Sequence, residues 1–163
     1  MGQHMPAAPV EEKAESAALE PLLIKLLKLA AMISRPMDDG VAAVNGLSLN
    51  ELRILMCLHG EGPCAGHDIT DLMAIPPMNV SRAFAALTQR GWIEPAIDPG
   101  NRRRRPVKLS AEGTRACLRM EADIDRVAHD LLGMLGAADA TALGRSADAI
   151  IGQLTRWPAD HPR

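Results

Sequence analysis

Two neighbouring stretches hold the residues best suited to chemistry on a partner. The run from Pro77 to Gly91 has the spacing of a short amphipathic helix, with Val80, Phe84 and Leu87 on one face. Its opposite face carries Met78, Arg82, Ala85 and Gln89, flanked by Asn79, Ser81 and Ala86. One cation, several hydrogen-bonding groups and very small residues make a surface that can approach another molecule closely and read its edges. Eleven residues after Gly91 comes Arg102-Arg103-Arg104-Arg105, followed by Lys108. Guanidinium groups in such a run suit phosphate oxygens or a narrow minor groove.

The positioning elements follow from the residues between. Gly91 stands where a helix commonly ends in a left-handed residue. Trp92–Ile97 and Val107–Leu109 are short β-prone segments joined by Asp98-Pro99-Gly100-Asn101, whose Pro-Gly centre predicts a type II turn. Helix, hairpin and arginine-loaded loop together form the layout of a winged helix-turn-helix. The helix is sized for a major groove about 12 Å wide.

These residues also resemble the MarR family (multiple antibiotic resistance regulator). The likeness rests on Val80-Ser81-Arg82, Leu87, Gly91, Asp98-Pro99, Arg102-Arg103, Leu109-Ser110 and Gly113. It is close over about Ser48 to Gly113, and beyond that rests only on helix length and placement. Two departures stand out: Pro95 replaces a basic residue usual there, and Pro106 enters the returning strand, where it donates no ladder hydrogen bond. The resemblance implies a DNA-binding regulator whose terminal helices dimerise. It also implies a small, often aromatic effector held between the dimerisation and DNA-binding parts. On this reading the DNA-facing residues are Met78, Asn79, Ser81, Arg82, Ala85, Gln89, Arg102, Arg103, Arg104, Arg105 and Lys108. Asp98 shapes the hairpin by pairing with one of Arg102 to Arg104.

Composition supports a helical core. Of the 163 residues 47% are hydrophobic, yet the only aromatics are Phe84, Trp92 and Trp157, so Ala, Leu and Met must fill the interior. The formal net charge of −2 hides an asymmetry. Arg82 to Lys108 holds seven basic and two acidic side chains, a net of +5, so the remainder carries −7. A basic stripe on an acidic body suits nucleic-acid binding. The apolar run Leu22–Ile33 is broken by Lys25 and Lys28 and falls short of a membrane span. No secretory signal is evident, and Cys57, Cys64 and Cys117 form no disulfide framework, as in a reducing cytoplasm.

The fold expected is mainly α: a winged helix-turn-helix with a small β-hairpin wing and N- and C-terminal dimerisation helices. Residues 1–15 read as a disordered tail and 16–163 as one domain. Within it, 16–47 and 111–158 are dimerisation helices around a head at 48–110. The first helix starts at Ser16 or Glu20, with Pro21 in its first turn, and ends at Pro36; Pro36–Leu47 reads as a loop. Ser48-Leu49-Asn50-Glu51 is a capping box opening a buried helix that runs to His59. A helix from about His67 to Ile75 follows, and a very short strand near Cys64 is placed to join the wing. Ser110 caps a long helix to about Leu135, with a seam at Cys117, Met120, Ile124, Val127, Leu131 and Met134. The last helix runs from about Asp139 to Trp157 and stops at Pro158. Dimerisation is assigned to Leu19, Leu23, Ile124, Val127, Leu131, Leu143, Ile150, Leu154 and Trp157. An effector pocket lined by Leu26, Ala30, Leu52 and Met56 would suit a lipophilic or phenolic compound.

Other chemistries fit less well. Cys57 and His59, two apart on a helix, point away from each other, and only Cys64 and His67 can converge, so no metal site closes. Cys117 reads as packing, and no thiol switch is favoured. No phosphate loop, nucleophile–base pair or cofactor motif is present, so an enzyme is not expected. A protein–protein winged helix and a metal- or thiol-sensing regulator are the alternative readings.

Overall fold

The computed structural model describes residues 10–101 and 104–160. It divides into two units, 1–36 and 37–163. The first is essentially α1 (Val10–Met37), whose start precedes the expected one and whose interior contains both Pro21 and Pro36. A proline removes one backbone donor and crowds the carbonyl four residues back, a local penalty that α1 absorbs rather than ending there.

The expected loop after Pro36 is instead a π-helical turn, Asp38–Ala42, running into a 3-10 turn, Ala43–Asn45. Val41 and Ala42 are fully buried in the core. Gly40 has a packing role: a Cβ there would lie 2.7 Å from a Val127 methyl carbon. Arg126 also donates to the Gly40 carbonyl at 3.0 Å. Gly46 then takes a left-handed φ of 66° and ends the turn.

α2 (Leu49–Glu61) opens on the expected capping box. The Ser48 hydroxyl accepts from the Glu51 N–H at 3.3 Å, and the Glu51 carboxylate accepts from the Ser48 N–H at 2.6 Å. Leu52, Ile54 and Leu55 make α2 the centre of the core. α3 (Gly66–Met73) is shorter than expected and stops at Ala74, a non-glycine residue held at φ 51°. α4 (Pro77–Gln89) starts on Pro77, whose fixed φ suits a first helical position. Gly91 then turns left-handed at φ 70°. Arg90 donates to the Gly46 carbonyl at 2.6 Å and lies 5.4 Å from the Trp92 ring centroid, tying the end of α4 to the turn before α2.

The wing is an antiparallel pair, β1 (Ile93–Pro95) and β2 (Val107–Leu109), in register Ile93 with Leu109. The expected strand near Cys64 is present as a single bridge, with both backbone hydrogen bonds to Val107 formed, at 3.0 and 2.9 Å. Pro106 donates nothing, but its carbonyl accepts from the Ala96 N–H at 2.9 Å. The turn departs from expectation: Gly100 does not adopt the left-handed φ that type II requires. Instead the Asp98 carboxylate accepts from the Gly100 and Asn101 N–H groups at 2.9 and 3.1 Å, so a side chain closes the turn.

α5 (Ala111–Leu132) is capped by Ser110, whose hydroxyl accepts from the Gly113 N–H at 3.0 Å and donates to the Gly91 carbonyl at 2.6 Å. The helix ends at Gly133, so Met134 leaves the seam and is 85% exposed. α6 (Ala137–Asp160) runs through Pro158 rather than stopping at it. Every residue of α6 through Trp157 is exposed.

Candidate nucleic-acid interface

The reading helix is built by division of labour along α4. Val80, Ala83 and Leu87 are buried in the head, and Phe84 packs half-buried beside them. That anchorage turns Met78, Ser81, Arg82, Ala85 and Gln89 outward to exposed positions, with Asn79 and Ala86 half-buried at the margin. Arg82 makes no ion pair among the described residues, so its guanidinium is available. Its side chain borders an open cleft of about 350 Å³ between α2 and α4, whose walls include Ser48, Asn50, Asn79, Ala83 and Ala86. Sequence reasoning passed over Asn50. The signal was its place two residues after the Ser48 cap, in the first turn of α2, which faces the reading helix.

The wing sorts its cations into two kinds. Arg104 donates to Asp98 at 3.1 Å and, more tightly, to Asp68 of α3, so it fastens the wing to the helix-turn-helix. Its Nε is enclosed with no partner. The Asp68 carboxylate also accepts from the Ala65 N–H at 2.6 Å, capping α3, and sits 3.1 Å from His67. Burial alone would raise the Asp68 carboxyl, but the Ala65 N–H and Arg104 outweigh it and hold it below the usual range. Arg104 and then the Gly100 N–H hold Asp98 low as well. Asp98 thus has its expected partner, whereas Asp68 was missed because its contact spans 36 residues. Arg105 is exposed. Lys108 faces Glu94 across the strands at 3.2 Å, both half in solvent. Arg102 and Arg103 lie outside the described residues.

The residues expected to line an effector pocket are divided between the two units. Leu52 is fully buried in the core, and Met56 is exposed. Leu26 is half-buried and Ala30 exposed on α1. Met56 instead borders a crevice of about 170 Å³ between α2 and α5, with Leu55, His59, Cys117, Met120 and Ile124. The residues assigned to dimerisation also divide. Val127 is buried, with Ile124 and Leu131 packed on the same core, so these serve the single chain. Leu19 and Leu23 of α1, and Leu143, Ile150, Leu154 and Trp157 of α6, are exposed apolar side chains. Of Cys64 and His67, the two residues able to converge on a metal, His67 instead lies 3.1 Å from the Asp68 carboxylate.

Comparison with known proteins agrees with this geometry. Residues 47–104 match the MarR family model. The fold is similar to that of a mutant MarR from E. coli complexed with operator DNA (TM-score 0.62, 15% identity, covering 82% of this chain and 95% of that one). It is also similar to BpsR from Bordetella bronchiseptica, whose DNA binding is regulated by 6-hydroxynicotinic acid (TM-score 0.64, 18% identity, 80% and 98%). CouR from Rhodococcus jostii RHA1, bound to p-coumaroyl-CoA, is a third (TM-score 0.66, 15% identity, 80% and 91%). A search of the curated proteins finds no match. The family match falls on α2, the helix-turn-helix and the first strand and turn of the wing, which is where the outward α4 face and the Asp68–Arg104–Asp98 link are built. Over residues 47–104 the chain thus matches the MarR family, and its winged-helix fold is shared with MarR regulators such as the E. coli protein complexed with operator DNA.

Proposed function

We propose that the protein is a cytoplasmic, effector-responsive repressor that binds a pseudo-palindromic operator as a homodimer. The observation that carries the DNA-reading geometry is the outward face of α4, where Arg82 stands unpaired among Met78, Asn79, Ser81, Ala85 and Gln89. Laid in a major groove, Arg82 reaches guanine O6 and N7 or an adjacent phosphate. Arg102, Arg103, Arg105 and Lys108 then follow the backbone or minor groove beside it, while Arg104 and Asp98 hold the wing in shape.

Dimerisation is supported by the apolar side chains that α1 and α6 leave in solvent, among them Leu27 at 65% and Leu154 at 60% exposure. Isolated helices do not keep such stripes wet when a second copy can cover them. The effector reading is supported by the α2–α5 crevice, whose Met and Leu walls favour a lipophilic or phenolic compound over specific stacking. In this reading 16–163 acts as one domain, with 48–110 as the reading head.

The test is selection of bound sequences from random duplex DNA, followed by gel shifts on the winning site. Inverted half-sites about 34 Å apart are expected, one turn of the duplex. Phenolic and lipophilic compounds that release this DNA while raising the melting temperature support effector control. Enrichment of a single unrepeated half-site would overturn the dimeric reading.

A further inference from the structure

A cavity of about 630 Å³ opens where the end of α3 and the turn into α4 face the second half of α6. It shares no residue with the α2–α5 crevice. Its apolar walls are Leu72, Ile75 and Pro76 on one side and Ile151, Leu154 and Trp157 on the other. Small-molecule sites commonly enclose about 300 to 1,000 Å³ behind such walls, with a few polar groups that fix the ligand. Here those groups are of one kind. Asp71 borders the cavity and makes no ion pair among the described residues. The Thr70 and Thr155 hydroxyls donate to the Gly66 and Ile151 carbonyls at 3.1 and 2.9 Å, so what they offer the cavity is lone pairs. No lining side chain is basic, and only the Trp157 indole carries an N–H. We propose that this cavity binds a small amphipathic organic cation, with its charge on Asp71 and its apolar body between α6 and the α3–α4 turn.

Three features set the sign of the charge. The Asp71 carboxylate attracts a cation directly. α3 ends at the cavity, and the carbonyls of a helix's last turn carry partial negative charge. The face of the Trp157 indole attracts cations through its quadrupole. Arg156, beside it in sequence, donates to Gln153 at 3.4 Å and is not part of the lining. Leu154 and Trp157 also belong to the stripe proposed for dimerisation, whereas Ile151 and Thr155 stand on its flank. A second copy's apolar stripe laid over the cavity would press hydrocarbon on the unpaired Asp71, and burying a lone charge is costly. A cation with an apolar body satisfies both the walls and the carboxylate.

The site has a route to DNA. The Pro76 carbonyl accepts from the Asn79 and Val80 N–H groups at 2.9 and 3.1 Å, so one wall of the cavity is the residue from which α4 starts. Ala74, another lining residue, is held at φ 51°, a conformation that alanine adopts only under constraint. A ligand pressed on this turn shifts the start of α4, so occupancy alters DNA affinity.

The experiment is equilibrium dialysis of the full chain against tetraphenylphosphonium, with tetraphenylborate, of the same shape and opposite charge, in a parallel arm. One cation per chain is expected, with anion uptake weaker by about tenfold or more. Asp71→Asn should weaken cation uptake by about fivefold. Thr155→Arg, which places a guanidinium in the cavity from an exposed helix face, should abolish it while near-native circular dichroism persists. Glu121→Gln, on the wall of the α2–α5 crevice, should leave uptake unchanged. Equal uptake of the two ions, unchanged uptake in Asp71→Asn, or loss in Glu121→Gln would overturn the site. Uptake per chain that falls as the protein is concentrated would make a second copy the occupant and overturn it too. Gel shifts on any duplex the unliganded protein binds should change severalfold at saturating cation. An unchanged shift would overturn the coupling to α4, independently of whether an operator is palindromic.

Discussion

At the scale of single residues, the two arginines that matter most have opposite tasks. Arg82→Ala removes a group that makes no hydrogen bond or ion pair among the described residues, so the melting temperature should hold. Binding should weaken by about 1–3 kcal/mol, with preference relaxed at one base of each half-site. Gel shifts on the selected site and single-base variants measure this. Arg104→Gln does the reverse, freeing Asp68 and Asp98 to repel each other and loosening the wing on every DNA sequence. Arg105→Gln should leave the wing intact and flatten the slope of log K against log salt by about 0.9 for each phosphate that Arg105 neutralises. The same carboxylates set an acid limit. Both are held below their usual value of 3.8, so their contribution is complete above that pH and fades as the medium falls through their depressed values. Wing loosening should thus appear only below about pH 4, followed through Trp92 fluorescence in a Trp157→Phe background.

At the scale of elements, short-range signals were legible and close approaches were not. The Ser48 capping box, Pro77 at the start of α4, Gly91 at its end and the Ser110 cap all rest on residues within four positions of one another, and each is formed. The outward face of α4 was legible for the same reason. The Asp68–Arg104 contact, the Gly40 packing and the side-chain-closed turn at Asp98 depend on residues brought together by tertiary structure, or on competition between two good turns. Gly113 is another such case. A Cβ there would lie 1.9 Å from the Trp92 carbonyl oxygen, which itself accepts from the Ser110 N–H at 3.0 Å. Backbone cannot yield as a side-chain tip does. Gly113→Ala should push α5 off the wing and cost about 1–3 kcal/mol or more, read as the shift in urea midpoint. Gly60→Ala, in helical α2 with open space around its Cβ, should stabilise by about 0.5–1 kcal/mol. Equal effects from the two would show that glycine entropy, not the Trp92 contact, governs position 113.

At the scale of the whole molecule, the head carries its own core while α6 packs little against the rest of the described chain. Removing 137–163 should therefore leave the head folded and abolish both dimerisation and tight operator binding. Sedimentation and gel shifts check the two effects together. A truncated monomer with native operator affinity would refute the assignment of α6. The bare stripe of α6 has a further consequence, which concerns dilution. A helix that gains its apolar cover only from a second copy is stabilised by mass action, so its order depends on how many copies are present. Far-UV circular dichroism should lose helical signal on dilution, with the midpoint of thermal unfolding falling as concentration drops. In a cell, such a regulator would register its own abundance: newly made chains at low copy number would expose α6 to proteases, and only past a threshold would they persist as pairs.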